Sequence, residues 1–353
     1  MDVLLNDKVL HLDDQKHSSD KLGGGEGKVY IYESNSCAKI YHKRILDTYD
    51  KQAKILAFCD KFEELNYGFI ANPQYPVFTG DSEKDFCGFS MNFFPDCIDM
   101  FEVQYDSNEQ KYPNNLTDED AVSFIQSLFG SLKTLHRARI ILGDINPGNI
   151  LFNVRTKKPV IVDIDSAQIG NFRSVAKTDD YFDPNVEIDI QDDESYYSYT
   201  TDSDIFGMTA LSFEFVTGLN PFDVATQSEL TLEQNITRGN SYIKYHNLIK
   251  RGNKVFEIEN DEGCQYCCAR LDHLLEHHPK LYHHFASVLV YKKREYFLAP
   301  NFWKVRSGKR TVRRKKWSDY RGNKHIPKAR KNDPAELNHF MNTYNINLRE
   351  LLS

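Results

Sequence analysis

The sequence contains no apolar run that approaches the roughly 20 residues needed to cross a bilayer, so we expect no membrane-spanning segment. Its first residues, MDVLLNDKVLHLDD, lack the basic start and the apolar core of a secretory signal, which favours a cytoplasmic location. Material for a core is not lacking, since hydrophobic residues make up 40% and aromatic residues 13% of the 353 positions. This composition argues against a largely disordered chain and predicts a folded one.

Cysteine is present in an odd number, with 7 residues in the chain. Four of them lie singly in apolar stretches, which predicts reduced thiols in a reducing compartment rather than a disulfide framework. These four are Cys37, Cys59, Cys87 and Cys97.

The other three cysteines form a Cys264-x2-Cys267-Cys268 cluster ahead of several histidines, which are the residue types of a zinc site. The second cysteine pair that would make this pattern specific is missing. The alternative is an ordinary helix that begins near Pro279, with apolar residues inward and histidines in solvent. The histidines concerned are His273, His277, His278, His283 and His284.

Charge is unevenly distributed along the chain. Residues 303–353 contain 14 Lys/Arg and 4 Asp/Glu, whereas the rest contains 30 and 47, so an acidic body precedes a basic tail. The stretch 304–331 interleaves aromatic with basic residues, a pattern able to follow a nucleic-acid backbone. The net charge of −7 disfavours nucleic acid as the main partner. Asp333 begins a predicted helix within the tail.

The stretch Gly143–Ser166 concentrates the residues that carry chemistry. Asp144 lies five residues before Asn149, and a short apolar run then leads to Asp163 and Asp165. Magnesium-dependent phosphoryl transfer needs a carboxylate that accepts a hydroxyl proton, and a carboxamide and a carboxylate that hold the metal. We expect the two later carboxylates on a strand, where a spacing of two places them on one face. Asp163 is the preferred metal ligand, and Asp165 either assists it or caps the next turn.

A glycine-rich stretch, KLGGGEGKVYIY at residues 21–32, precedes alternating β-branched and aromatic residues, which predicts a strand, a tight turn and a second strand. Without side chains, such a turn can bring backbone N–H groups to phosphate oxygens. A hairpin turn without a ligand is the alternative. Lys39 follows in the apolar run SCAKIYH, where a buried ammonium needs an anion. The alternative is a lysine at a strand edge that reaches solvent.

These motifs, in this order, resemble the glycine loop, strand lysine, catalytic loop and metal-binding loop of eukaryotic-type protein kinases. Gly-Asp-Ile-Asn-Pro-Gly-Asn and Asp-Ile-Asp-Ser resemble a bacterial and viral branch of stand-alone kinase-like proteins. The resemblance implies an α+β, bilobal fold with a small β-rich N-lobe and a larger helical C-lobe. We expect the N-lobe at residues 1–95, the C-lobe at 96–300, and a basic extension with short helices at 301–353.

The resemblance also implies the cofactors ATP and Mg²⁺ and a role for each matching residue. Asp144, Lys39 and Asn149 would be catalytic, and the metal would bind Asn149, Asp163 and Asp165. The nucleotide would contact Gly23, Gly24, Gly25, Gly27, Val29, Lys39, Met91, Asn92 and Phe94. A helix within residues 45–66 would supply a glutamate to Lys39, but no glutamate there has the expected spacing, so this ion pair stays unassigned.

The chain departs from the family pattern at three points. Leu22 replaces the first glycine of the loop. Gly143 replaces the arginine before the catalytic aspartate, which excludes activation by pairing that arginine with a phosphorylated loop. Asn146 replaces a lysine near the γ-phosphate, so modest activity is expected.

Two helices are predicted to support the catalytic loop. Thr117 and Asp120 form a capping box ahead of apolar residues at helical spacing, which predicts a buried helix leading into the loop. Asp204 opens a second helix that Gly218 ends, and the resemblance implies that Asp204 holds the loop backbone from below. Asp204 as a simple helix N-terminal acid is the alternative.

The function implied is transfer of the γ-phosphoryl group of ATP to Ser or Thr hydroxyls of a protein. The first alternative is a pseudokinase that binds nucleotide without turnover. A small-molecule kinase is disfavoured by the segment from Thr178 to Asn185, which resembles an activation segment. A nucleic-acid-associated protein acting through the tail is a further alternative. An acidic run across residues 179–194 suggests basic substrates, with a merely solvated surface as the competing interpretation.

Overall fold

A computed structural model of the chain describes residues 1–6, 8–12, 25–48, 50–65, 69–79, 85–191, 194–224, 229–255 and 262–300. A sheet dominates the N-terminal part and helices dominate the rest, so the predicted α+β, bilobal architecture is confirmed. Gly23, Gly24, the basic stretch 304–331 and the helix predicted from Asp333 lie outside the described residues.

The N-lobe is built on a six-stranded antiparallel sheet in the order β2-β1-β5-β6-β4-β3. Every residue of β4 after the first is buried, because the sheet is covered on both faces. The strands are β1 (Asp2–Leu5), β2 (Lys8–His11), β3 (Gly27–Glu33), β4 (Ser36–Tyr41), β5 (Tyr75–Thr79) and β6 (Asp85–Asn92).

One glycine lets the neighbouring strands β4 and β6 approach closely. Gly88 of β6 pairs with Ile40 of β4, and a Cβ atom at Gly88 would lie 2.0 Å from the carbonyl oxygen of Lys39. No side chain fits in that space, so Gly88 determines how near β4 lies to β6.

Three helices follow β4: α1 (Lys43–Thr48), α2 (Lys51–Asp60) and α3 (Phe62–Leu65). The Asp50 side chain accepts a hydrogen bond from the Ala53 N–H at 3.1 Å and so caps α2. Ile55 and Phe58 of α2 are fully buried, which anchors the helix beside the sheet.

Two long helices form the centre of the C-lobe, as predicted. The helix α4 (Asp118–Arg137) begins at the capping box of Thr117 and Asp120. The helix α5 (Thr201–Thr217) ends at Gly218, whose φ of 73° suits glycine, although it begins three residues earlier than the sequence suggested. Phe124 of α4 stacks on Phe215 of α5, with ring centroids 4.8 Å apart.

The remaining elements surround this pair. The strands are β7 (Cys97–Asp99), β8 (Ile140–Ile141), β9 (Ile150–Asn153), β10 (Lys158–Ile161), β11 (Gln168–Ile169), β12 (Glu187–Gln191) and β13 (Glu194–Ser198). The helices are α6 (Leu232–Arg238), α7 (Tyr242–Lys250), α8 (Glu262–His277) and α9 (Pro279–Phe285), followed by a π-helical turn, Ala286–Val290.

The cysteine cluster lies on α8. Cys264 and Cys267 are fully buried in the C-lobe core, and burial raises the pKa of Cys267 well above that of an exposed thiol. Over the described residues, no three His, Cys, Asp or Glu side chains gather in a way that could hold a metal, so the zinc interpretation gains no support. The predicted helix at Pro279 is present as α9, with Leu281 and Phe285 buried.

Across the described part of the chain, no helix combines the length and the apolar character that a membrane span requires.

Candidate active site

Two short loops meet because their flanking strands pair with one another. One loop joins β8 to β9 and carries Asp144 and Asn149, and the other joins β10 to β11 and carries Asp163. Since β8 pairs with β11 and β9 with β10, both loops emerge at the same end of these strands. Asp144, Asn146, Asn149 and Asp163 consequently line one small cleft.

A buried carboxylate holds the first loop in place. Asp204 of α5 is fully buried and accepts hydrogen bonds from the N–H groups of Leu142 and Gly143, at 2.7 and 2.8 Å. Its Oδ2 also lies 2.8 Å from Nε2 of His136, the penultimate residue of α4. The predicted support of the loop by Asp204 is therefore present, and His136 adds a link to α4 that the sequence did not reveal.

Asp144 has two neighbours that orient its carboxylate. The Thr178 hydroxyl donates to Oδ1 at 2.6 Å, and the Asn146 amide donates to Oδ2 at 3.2 Å. A hydroxyl group can therefore reach this carboxylate at hydrogen-bond distance. The sequence singled out Thr178 only as part of a segment, because its contact with Asp144 spans 34 residues.

Asn149 is held by the loop that contains it. Its Nδ2 donates to the carbonyl of Asp144 at 3.3 Å, and its N–H donates to Oδ1 of Asn146 at 3.1 Å. The Val162 N–H donates to the Asn149 carbonyl at 2.9 Å, which ties the first loop to the second. With Nδ2 engaged, the amide oxygen is the atom of Asn149 that can ligate a cation.

The second loop differs from the strand expected at this position. The strand β10 ends at Ile161, Asp163 has a left-handed φ of 54°, and Ile164–Ser166 form a 3₁₀ turn. This turn brings both Asp163 and Asp165 to Lys39, so the prediction that they share a side holds for a different reason. Burial and the neighbouring Asp165 raise the pKa of Asp163, although Lys39 opposes the shift.

Lys39 is 5% exposed and pairs with both carboxylates across the lobe boundary. Its Nζ lies 3.0 and 3.1 Å from the two oxygens of Asp165 and 3.2 Å from Oδ1 of Asp163. Tyr41 also donates to Oδ2 of Asp165, at 2.7 Å. Burial alone would lower the pKa of Lys39, but the carboxylates outweigh it and raise that pKa. Burial opposes ionisation of Asp165 too, yet Lys39 and Lys51 lower its pKa to about 2.

The helix α2 presents two lysines to this region, which the sequence reasoning missed. Lys51 donates to both oxygens of Glu26 at 3.0 Å, and Lys54 donates to the carbonyl of Ser166 at 3.0 Å. Burial and the nearby Lys51 lower the pKa of Lys54 to about 8. The available signal was their spacing of three, which puts both on one helix face with Ile55 and Phe58 nearby.

The described residues of the predicted nucleotide site lie along β3 and β6. Gly25 is exposed, whereas a Cβ atom at Gly27 would lie 2.4 Å from the carbonyl oxygen of Ile40. Val29 is paired with Lys39 across the sheet. The expected nucleotide contacts of these three glycine-loop and β3 residues remain predictions, based on their positions in and next to β3.

The segment that leaves β6 contains the other predicted nucleotide contacts. Met91 is buried, and Phe94 packs against the same apolar cluster. Asn92 accepts a hydrogen bond from Gln74 through its side chain, and the Phe93 N–H donates to the carbonyl of Asn35 at 2.9 Å. The segment is thus tied to the turn between β3 and β4.

The oxygen atoms in the cleft that could ligate a metal are of the kinds that magnesium prefers. Asn149 and Asp163 both line the cleft, Asn149 offers an amide oxygen, and the Asp163 side chain is 47% exposed. Magnesium prefers oxygen ligands and binds through one or two protein side chains, with phosphates and water completing its shell. Both oxygens of Asp165, in contrast, accept bonds from Lys39 and Tyr41.

A family model described as the protein kinase domain matches residues 94–281, which is more than half of the chain. The chain belongs to the protein kinase family. The matched range includes α4, α5 and both site loops, and with them Asp144, Asn149 and Asp163. No curated protein matched the chain in a sequence search.

Proposed function

We propose that this kinase-family protein transfers the γ-phosphoryl group of ATP, with Mg²⁺, to Ser or Thr hydroxyls of a protein substrate. The observation that carries the proposal is the convergence of Asp144, Asn149 and Asp163 on one cleft, with Lys39 bonded to Asp163 from the other lobe. Transfer to a hydroxyl needs a proton acceptor, metal ligands and a phosphate-binding cation within reach of one another.

Each side chain then has a defined part. Asp144 orients the attacking hydroxyl and accepts its proton, as its 2.6 Å bond from the Thr178 hydroxyl suggests. Asn149 and Asp163 would hold Mg²⁺, which when bound supplies charge neutralisation at the phosphates. Lys39 would bind phosphate oxygens, since its ammonium is buried and kept charged by carboxylates.

The surface beside Asp144 supports a preference for basic protein substrates. Asp179, Asp180, Glu187 and Asp189 are exposed, and the first two directly follow Thr178, which contacts Asp144. Asp183 belongs to the same acidic run, but it is buried and accepts a hydrogen bond from Arg294 at 2.9 Å. Asp179 and Asp189 are also paired, with Lys177 and Arg173, so the attraction would come mainly from Asp180 and Glu187. Phosphorylation of a peptide array with no bias toward Lys or Arg would remove this part of the proposal.

Phosphoryl transfer from labelled ATP, followed by mass-spectrometric mapping of the modified residues, tests the activity. We expect Asp144→Asn and Asp163→Asn to lower kcat by at least about 10²-fold, because each removes a group used in the transition state. Exposed Asp202 offers a matched Asp→Asn control that should keep wild-type activity. Equal rates for all three variants would refute the assignment, and modified tyrosines alone would refute the Ser/Thr specificity.

A nucleotide-binding module without turnover is the second candidate. Its support is the environment of Lys39, whose ammonium makes three hydrogen bonds to Asp163 and Asp165. Asn146 also brings no positive charge to the cleft. In that case the wild-type protein would bind ATP without forming any phosphorylated product, and Asp144→Asn would leave ATP affinity unchanged.

A further inference from the structure

The helix α2 carries positive charge where the family pattern expects a negative one. Its sequence, KQAKILAFCD, has a single acid, Asp60, at the last position. Lys51 and Lys54 are both buried on the side that faces Glu26 and Ser166. Among its described residues, the helix therefore has no carboxylate positioned to hold Lys39.

The carboxylate that holds Lys39 lies on the second loop instead. The Asp165 side chain is 1% exposed, and both of its oxygens accept bonds from Lys39, at 3.0 and 3.1 Å. Tyr41, two residues after Lys39 on the same strand face, donates a third bond at 2.7 Å. Asp163 differs, because it makes one bond to Lys39 and keeps an exposed side chain.

The lysines of α2 hold the segments that carry these acids. Lys54 donates to Ser166, the residue after Asp165, and so fastens the second loop to the helix. Lys51 pairs with Glu26, whose carboxylate also lies 3.8 Å from Lys39. Each contact joins α2 to a carboxylate-bearing segment rather than to Lys39.

We propose that Asp165 is the residue that positions Lys39 for the nucleotide phosphates, and that α2 supports it indirectly by anchoring the second loop through Lys54. The inference rests on the proposed nucleotide site. Two acids that lie two residues apart then have different roles, since Asp163 lines the cleft and Asp165 orients the lysine. A shift of α2 would then alter the second loop first, and Lys39 only through it.

Binding of a non-hydrolysable ATP analogue in EDTA, measured by calorimetry, tests the positioning role without metal or turnover. We expect Asp165→Asn to weaken binding about tenfold or more, since charge-assisted hydrogen bonds that orient Lys39 are lost. Lys54→Met, which removes the bond from α2 to the Ser166 carbonyl, should also weaken binding, and unchanged binding in Lys54→Met would remove the supporting role of α2. Asp163→Asn should change binding in EDTA less than Asp165→Asn does.

A magnesium titration at saturating analogue separates positioning from ligation. Asp163→Asn should raise the magnesium concentration at half-saturation, whereas Asp165→Asn should leave it unchanged. A raised midpoint for Asp165→Asn together with wild-type binding in EDTA would make Asp165 a metal ligand and overturn the inference.

Lys39→Met distinguishes failure of this inference from failure of the proposed function. Binding lost in Lys39→Met but kept in Asp165→Asn overturns the positioning role alone. Wild-type binding in Lys39→Met overturns the nucleotide site itself. Should Asp165→Asn not fold, Tyr41→Phe removes one bond to Asp165 at constant charge and should weaken binding in EDTA by about fivefold. Unchanged binding in Tyr41→Phe would then count against the role.

Discussion

Removing the charge of the buried Asp204 carboxylate should destabilise the loop that carries Asp144 and Asn149. The change Asp204→Asn preserves shape but replaces one acceptor oxygen by an NH₂ group that faces backbone donors. At least one of the two loop N–H groups, 2.7 and 2.8 Å from the carboxylate, would then be left without an acceptor in a fully buried site. An unsatisfied buried donor costs about 1–3 kcal/mol, and a lost charge-assisted bond adds about 1 kcal/mol or more. The free energy of unfolding should therefore fall by roughly 2–4 kcal/mol.

The change Asp204→Asn should also lower the rate of phosphoryl transfer. Asp144 follows directly after the two residues that Asp204 holds, so a loosened loop displaces the proposed proton acceptor. Misplacement of a reacting group by about 1 Å can cost roughly 10²-fold in rate. We expect kcat to fall by one to two orders of magnitude, on the order of that limit, while the KM for ATP changes little.

Equilibrium denaturation in urea and steady-state kinetics measure both effects. Asp202→Asn is the matched control, because Asp202 is exposed in the first turn of the same helix and should change stability by about 0.5 kcal/mol or less. If Asp204→Asn and Asp202→Asn have the same denaturation midpoint and the same kcat, the loop does not depend on this carboxylate and the reasoning is wrong.

Three further predictions concern other contacts. Gly88→Ala should lower stability by about 2 kcal/mol or more and abolish nucleotide binding, since its Cβ meets a β4 carbonyl at 2.0 Å; calorimetry showing normal binding would contradict this. Thr178→Val should lower kcat while Thr178→Ser preserves it, because only the hydroxyl reaches Asp144; equal kcat values would argue against the contact. Burial would raise the pKa of Asp118, but the hydrogen bonds and the charge of Arg270 lower it to about 2. The ionised Asp118 therefore stabilises the fold above about pH 4, and this stabilisation is lost as the pH falls toward 2. The free energy of unfolding of Asp118→Asn should therefore change less between pH 4 and pH 2 than that of wild type, by up to roughly 2 kcal/mol, and an equal change in both proteins would refute this.

Local sequence signals predicted the elements that position the site. The capping box at Thr117 and the apolar spacing behind it predicted α4, and Gly218 predicted the end of α5. Both signals act within a few residues, through hydrogen bonds and backbone conformation of the helix ends themselves. The spacing of Asp144 and Asn149 likewise depends on one short loop, so it was readable without the fold.

The partner of Lys39 could not be predicted from local sequence signals. Burial in an apolar strand required an anion, but the carboxylates that supply it lie 124 and 126 residues further along the chain. The search for a glutamate on the following helix used local spacing, and that helix carries lysines instead. The spacing of Lys51 and Lys54 places both on one face of that helix, but it does not tell which distant segment the face contacts.

The sequence by itself determined which functional groups this protein has available: a carboxylate, a carboxamide and two further acids at fixed spacing, and a lysine that cannot be buried alone. Only the tertiary structure decided how these groups pair, because the pairing of β8 with β11 and of β9 with β10 brings the two loops together. Contacts between distant segments depend on the packing of the whole domain, whereas helix caps and loop spacings depend on their immediate neighbours.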